Sequence, residues 1–291
     1  MSWRTIVISN RAKLDFKMNY MTVRNDHEIT RIFINEIYMV IIESTAVSIT
    51  VALLSELTKK KVKVIFCNEK RNPSSELVSY YGSHDTSVKY RNQIEWSIDI
   101  KSEVWTQIVR EKVKKQSEHL RERGLEEYLL LEEYVEHIET NDKTNREGHA
   151  AKVYFNALFG KKFTRADENT TNAALNYGYS IILSAFAREI VANGYMTQLG
   201  LFHNNMFNQF NLASDLMEPF RILIDRKVVD MDLNKFELSE KLELVNVLNK
   251  SIIIDKARSN VANTISQYTK SIFDALNYND IALIRFYRNE L

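Results

Sequence analysis

Along the first eighty residues the apolar positions come in short runs. Residues 3–10 are short and β-branched, residues 14–20 alternate apolar and polar at every step, and residues 32–42 and 62–67 are two further apolar runs. A period of two marks a half-buried strand, so this part is predicted to be rich in strands. One helix interrupts it. Ser48 can cap residues 49–61, whose closing lysines suit the negative end of a helix dipole. Asn72-Pro73-Ser74-Ser75 is expected to break the pattern.

Beyond residue 92 the period changes. Trp96, Ile100, Val104, Trp105, Ile108 and Val113 recur at helical spacing, and residues 125–138, 171–194 and 257–277 follow as further helices. Gly124, Gly160 and Gly194 stand where helices should stop. The expectation is an α+β protein with a small N-terminal β-rich domain at residues 1–82, a linker at 83–92, and a larger all-α domain at 93–291 that carries the chemistry.

Composition agrees with a helix-rich globular chain. Its 291 residues suit two cores better than one, and seven Gly with two Pro leave few helix breakers. The single Cys67 can form no internal disulfide, which points to a reducing, cytoplasmic setting. Arg4 falls inside what would be the apolar part of an export signal, so none is expected. The charge-free window at 169–187 is nearly long enough to span a bilayer but carries Asn, Thr, Ser and Gly throughout, so a buried helix is expected and no membrane partner.

The net charge of +1 gives no global argument for a polyanion partner, so any such site must come from local clustering. Candidates are Lys59-Lys60-Lys61 with Lys63, the stretch from Arg110 to Arg123, and Lys161-Lys162 with Arg165. Taken alone, each reads as a solvated helix end or face.

The chain has no GxxxxGK[ST] loop, GxGxxG, CxxC, GxSxG or HExxH, and with one Cys a zinc–thiolate site within one chain is excluded. Carboxylate, imidazole and amide chemistry remains. Glu147 lies in the first turn of a helix opening at residue 145, but Thr144-Asn145-Arg146-Glu147 also fits a capping box, in which Glu147 only satisfies a backbone N–H. His149 points about 200° around that helix from Glu147, so the two should not hold one ion.

The second region, residues 203–221, packs one histidine, five side-chain amides, Asp215, Glu218 and Pro219 between apolar neighbours. If Asn211 caps a helix from Leu212, Asp215 and Glu218 are neighbours on one face, their repulsion calls for a nearby cation, and Pro219 kinks the helix just beyond. His203 read alone is an ordinary hydrogen-bonded residue. With carboxylates from two helices it forms a candidate N,O-ligand set, leaning to Mn²⁺ or Mg²⁺ over structural Zn²⁺.

The segments NREGHAAKVYFNALFG, YGYSIILSAFAREIVANG, GLFHNNMFNQFNLASDLMEPFRILID and VIFCNEKRNPSSELVSYYGSHDTS together resemble the CRISPR-associated integrase that captures new spacers, the first-numbered Cas protein, in its type II-A branch. The likeness runs over residues 1–225. It implies a β-rich N-terminal domain and a helical catalytic domain, with a divalent-metal site of Glu147, His203 and Glu218. Many members carry Asp at the third position, so Asp215, one turn earlier, is the competing ligand, and Glu218 is favoured.

The resemblance further implies a metal-dependent integrase and endonuclease. A 3′-hydroxyl of spacer DNA attacks a phosphate of the CRISPR repeat by transesterification, with nicking as a side reaction. Asn204, Asn205, Asn208, Gln209 and Asn211 become neutral partners for ion and DNA; Arg188 and Arg221 become phosphate contacts or ion-pair partners of Glu189 and Glu218; Lys161 and Lys162 become part of a DNA track. Implied partners are double-stranded DNA, a second copy of the chain through the β-domain, a second small Cas protein, and the type II-A accessory DNA-end-binding protein and effector nuclease. The alternatives are a catalytically inactive DNA-binding scaffold of the same fold, and a hydrolase of small molecules with an enclosed pocket.

Overall fold

The computed structural model describes residues 4–79, 83–231 and 233–288. The expected strand start at Trp3 and the expected boundary at residue 82 lie outside the described residues. The strand-rich part comes first: β1 (Arg4–Ile8), β2 (Ala12–Lys17), β3 (Tyr20–Arg24), β4 (Ile29–Phe33), β5 (Ile37–Ile42), β6 (Val47–Ile49), α1 (Val51–Lys59), β7 (Lys63–Cys67) and β8 (Pro73–Leu77). The helical part follows with α2 (Thr86–Glu95), α3 (Ile98–Glu122), α4 (Tyr128–Glu136), α5 (Arg146–Phe159), α6 (Thr170–Ala192), α7 (Asn211–Leu216), α8 (Arg221–Val229), α9 (Leu238–Val245), the strands β9 (Ser251–Ile254) and β10 (Ala257–Asn260), and α10 (Val261–Tyr278).

The first eight strands form two four-stranded sheets, ordered β4-β3-β2-β6 and β1-β5-β7-β8, and β9 pairs with β10 in a separate two-stranded sheet. In the second, β1, β5 and β7 are parallel and β8 closes the edge antiparallel. Every residue of β5 is buried, as expected for a strand covered on both faces. Val40 and Ile42 pack with Leu53, Leu57 and Val64 under α1. Met39 and Ile41 face the other way and join Ile65 and the helical core. That sheet is thus a wall shared by two cores.

Several boundaries differ from the sequence reading for local reasons. The alternation at 14–20 is interrupted by a tight turn: Met18 and Asn19 both take left-handed φ, 49° and 67°, and β3 starts at Tyr20. Thr50, not Ser48, caps α1, its hydroxyl accepting from Leu53 N. Asn72-Pro73-Ser74-Ser75 is not a break, because the turn falls earlier, where the Asn68 side chain accepts from the backbone N–H of Lys70 and Asn72. Pro73 then opens an edge strand, where its missing N–H costs nothing.

The expected linker at 83–92 is largely the first part of α2, tied down by Gln93, whose amide bonds the backbone of Met196 and Leu199. The region after it is not wholly helical, since Asp255 and Lys256 turn left-handed and pair Ala257–Asn260 with Ser251–Ile254. The expected helix at 257 therefore starts at Val261, capped by Asn260. Gly124, Gly160 and Gly194 do follow helices, each at positive φ.

The long α3, 25 residues and so about 37 Å, runs through the helical core. Its run from Arg110 to Arg123 is not simply a solvated face, because Lys112, Lys115 and His119 are buried. Lys63, in the first basic cluster, is buried too and paired with Glu76. The charge-free window forms α6, mostly buried in protein. Among the described residues no helix is long and apolar enough to cross a membrane.

Candidate active site

Glu147 begins α5, but it does not cap it. The chain enters through Asn145 at φ 52°, and the buried Asp142 carboxylate accepts from the backbone N–H of Arg146 at 2.8 Å and of Glu147 at 3.0 Å. Asp142 thus takes the task that the capping box would give to Thr144 and Glu147. The Glu147 side chain is free to reach across to α3, where it forms an ion pair with the Lys112 ammonium. His149 is exposed on another face, as the helical period requires.

The second carboxylate comes from a break in the chain. The helix expected from Leu212 runs only to Leu216, a single 3₁₀ turn at Glu218–Phe220 follows, and α8 restarts at Arg221. Pro219 cannot donate to an earlier carbonyl. Its own carbonyl accepts from the Tyr287 hydroxyl at 2.9 Å, and Phe220 packs among Phe186, Tyr268 and Tyr287. This anchored turn aims Glu218 at α3, with Oε2 2.5 Å from Lys112 Nζ and Oε1 2.9 Å from Arg221 Nε.

Asp215 diverges from Glu218. Fully buried, it accepts from the backbone N–H of Leu201 at 2.6 Å, of Phe202 at 3.1 Å and of His203 at 3.1 Å, and from His203 Nδ1 at 2.5 Å. The loop closes so tightly that a Cβ on Gly200 would lie 2.3 Å from the His203 carbonyl and 2.7 Å from the Asp215 carboxylate. With the ring proton on Nδ1, Nε2 is left as the lone-pair nitrogen. The expected Asp215–Glu218 repulsion is relieved because each carboxylate has its own donors.

Charge balance follows from these contacts. Burial opposes the Lys112 ammonium, but Glu218 and Glu147 outweigh it and hold its pKa above the ordinary lysine range. Burial likewise opposes the Glu218 carboxylate, but Arg221 and Lys112 hold its pKa below the usual range. The Asp215 hydrogen bond raises the His203 pKa against burial. The His203 side chain is 40% exposed and that of Glu147 30%, so the site opens on the surface.

Among the described residues, no three His, Cys, Asp or Glu side chains converge as a preformed metal centre. Glu147 and Glu218 meet on an ammonium instead. The amides expected around ion and DNA mostly build the loop: Asn211 donates to the carbonyls of Gln198 and Asn205, while Asn205 and Asn208 accept from Phe207 N and Phe210 N. Asn208 also reaches Ser214. Arg188 is engaged at the wall between the two cores, bonding the Lys61 carbonyl, pairing with Glu189 and lying 4.4 Å over the Tyr38 ring. Lys161 and Lys162 are exposed just beyond α5.

A family model described as CRISPR associated protein Cas1 matches residues 5–267. The chain belongs to the Cas1 family. A CRISPR-associated endonuclease Cas1 of Neisseria meningitidis serogroup C is 33% identical over 277 residues, covering 93% of this chain and 91% of the relative. One of Francisella tularensis subsp. novicida is 28% identical over 150 residues, covering 48% and 46%. Among solved structures, a casposase bound to integration product superposes with TM-score 0.79 at 16% identity, over 97% of this chain and 92% of that one. A Cas1 protein from Thermotoga maritima gives 0.73 at 13%, over 96% and 98%. A Cas6-RT-Cas1 and Cas2 complex gives 0.75 at 17% over 97% of this chain, which spans only 36% of that longer one.

Two residues of this Cas1-family site were not singled out from sequence for the part they play. Lys112 was hidden in a charged run, although it continues the stripe of Val104 and Ile108 at helical spacing on the buried face. Asp215 reads from the sequence as a competing ligand and not as the clamp on His203. Nothing in a sequence says which way a carboxylate turns at a proline break.

Beneath the site Asp225 lies buried against the Tyr179 hydroxyl, and Arg221 lies 4.8 Å over the Tyr179 ring. Burial raises the Asp225 carboxyl to about 6, from 3.8, although Tyr179 and Arg221 pull it down. A raised carboxyl contributes stability that is fully present below its unfolded pKa and lost as pH rises through the folded one. Asp225→Asn, which keeps an acceptor for Tyr179, is therefore expected to gain about 3 kcal/mol over the wild type between pH 3 and pH 7. Urea unfolding of both proteins at the two pH values measures this; a constant difference would mean that Asp225 is ionised in the fold at low pH.

Proposed function

We propose that this Cas1-family chain is a metal-dependent DNA integrase of CRISPR adaptation, in which Glu147, His203 and Glu218 hold a catalytic Mn²⁺ or Mg²⁺. The observation that carries this reading is the meeting of Glu147 and Glu218 on one cation, near the loop that clamps His203. The donor set suits a hard divalent ion: two carboxylates, one imidazole oriented by a carboxylate, and no thiolate. Asp215 has its oxygens engaged by four donors, which favours Glu218 as the third ligand.

When bound, a divalent ion supplies charge to the phosphoryl oxygen and lowers the pKa of an attacking 3′-hydroxyl. The protein's own residues position and screen. Asp215 fixes the His203 ring, Arg221 holds one Glu218 oxygen so that the carboxylate cannot turn away, and the Pro219 turn keeps both in place. A site open on the surface suits a duplex, whereas hydrolysis of a small molecule calls for an enclosed pocket. The 580 Å³ hollow between β8 and α6 is lined by residues such as Ser75, Ser180 and Gln209 and not by this triad.

Double-stranded DNA, as prespacer and repeat, is the substrate of this reading, with nicking where water replaces the hydroxyl. Lys161 and Lys162 follow the far end of α5, about 18 Å along the helix axis from Glu147, a span of about five base pairs. Replacing both by Glu is expected to weaken DNA binding and lower its salt dependence; an unchanged salt slope would remove them from the track. A second copy of the chain through the β-rich region and a small Cas2-type partner complete the proposal, the latter supported by the Cas2-containing assembly above. The type II-A accessory DNA-end-binding protein and effector nuclease belong to the same reading and rest on the quoted sequence motifs.

The test is joining of labelled DNA to a repeat-containing plasmid by the protein with its small partner. The reading predicts product with a free 3′-hydroxyl and Mn²⁺ or Mg²⁺, and none with a 3′-deoxy end or EDTA. DNA binding without joining, with both partners present, would favour an inactive scaffold of the same fold.

A further inference from the structure

We infer that Lys112 is a built-in counter-ion, neutralising Glu147 and Glu218 while no divalent ion is present and competing with that ion for them. The inference rests on the proposed metal chemistry and deepens it. Three separate elements converge to make the contact: α5 supplies Glu147, the Pro219 turn supplies Glu218, and α3 supplies the ammonium. The Lys112 side chain is 9% exposed and that of Glu218 5%. Removing one member of such a buried pair leaves an uncompensated charge. A protein that must keep two carboxylates together before an ion arrives needs a positive charge between them.

The type of residue fits the role. A lysine is a compact charge on a flexible four-carbon stem, able to swing away when a dication arrives, whereas arginine holds a fixed fork. Both kinds are present here: Arg221 holds Glu218 Oε1 and Lys112 holds Oε2. With Lys112 in place, the charges of Lys112, Arg221, Glu147 and Glu218 cancel. Once an ion has displaced the ammonium and both remain near, the site is positive by two and suited to a phosphodiester. The counter-ion thus weakens metal binding to the free protein, and the negative charge of an arriving phosphodiester offsets that cost.

Mn²⁺ binding, followed through the paramagnetic resonance of free aqueous Mn²⁺, tests this without any DNA reaction. Lys112→Met is expected to bind Mn²⁺ about tenfold or more tightly than the wild type, because a competing unit charge is gone. The same variant should melt lower in EDTA and gain more on adding Mn²⁺. Lys112→Met/Glu147→Gln, with one repelling carboxylate neutralised, should recover its melting temperature in EDTA and lose the tightened binding. Should Lys112→Met fail to fold, Lys112→Gln carries the comparison, since its amide retains a donor.

Equal Mn²⁺ affinity in the wild type and the lysine variants, with binding lost in Glu218→Ala, would overturn the counter-ion role and leave the metal site standing. Weaker binding without Lys112 would also overturn it. No Mn²⁺ binding by any of these folded proteins would overturn both.

Discussion

Glu147→Ala is expected to abolish DNA joining, by about 10²–10³-fold or more, while the protein remains folded. The structure separates the two effects because the cap of α5 is Asp142 and not Glu147. What the substitution removes is one of two carboxylates on a shared cation, with a side chain 30% exposed, so the stability change should stay within about 1 kcal/mol. Lys112 keeps Glu218 as its partner. A joining assay with the small partner present, beside a thermal melt, reads both quantities. Unfolding of the variant would return Glu147 to a structural role, and undiminished joining would remove it from the site.

Asp215→Asn should behave differently, losing stability as well as activity. One carboxylate oxygen of Asp215 accepts from Leu201 N and Phe202 N, the other from His203 N and His203 Nδ1, all at a fully buried position. An amide would turn an NH₂ towards donors whichever way it is placed, leaving buried groups unpaired at about 1–3 kcal/mol each. The loop from Gly200 to His203 would lose its clamp and the imidazole its fixed tautomer. Groups that orient a metal-binding histidine are each worth about 10–100-fold in activity or metal affinity. Asp215→Asn is thus expected to lower joining by that factor and the melting temperature with it. Full activity in a destabilised variant would show that Asp215 serves the fold alone.

The sequence was most legible where one local period decided the outcome. The alternation early in the chain and the helical spacing after residue 92 correspond to two sheets followed by a helical region. The glycines at 124, 160 and 194 mark helix ends because each needs a left-handed backbone. Boundaries failed where a turn was made by unexpected residues, as at Met18-Asn19, or where a polar strand such as Ala257–Asn260 had only its partner to define it.

The site divided along the same line. Residue type and motif order pointed to Glu147, His203 and Glu218, and the structure brings the two carboxylates to one cation and His203 close enough to Glu218 for each to shift the other's pKa. The direction of each side chain was not legible. Lys112, 35 residues before Glu147 and 106 before Glu218, enters the site only through packing of α3 against both elements. For Arg188 the sequence left a phosphate contact and an ion pair with Glu189 both open; the structure shows the pair, while its contacts at Lys61 and Tyr38 are remote in sequence.

On this proposal Glu147, His203 and Glu218 hold one divalent ion. Anomalous diffraction at the manganese edge, from crystals of the protein grown with Mn²⁺, tests it most directly. A single strong peak shared by the two carboxylates and His203 Nε2 is expected, with the Lys112 ammonium displaced from between them. Lys112 still bridging Glu147 and Glu218, with manganese elsewhere or absent under conditions that support DNA joining, would contradict it.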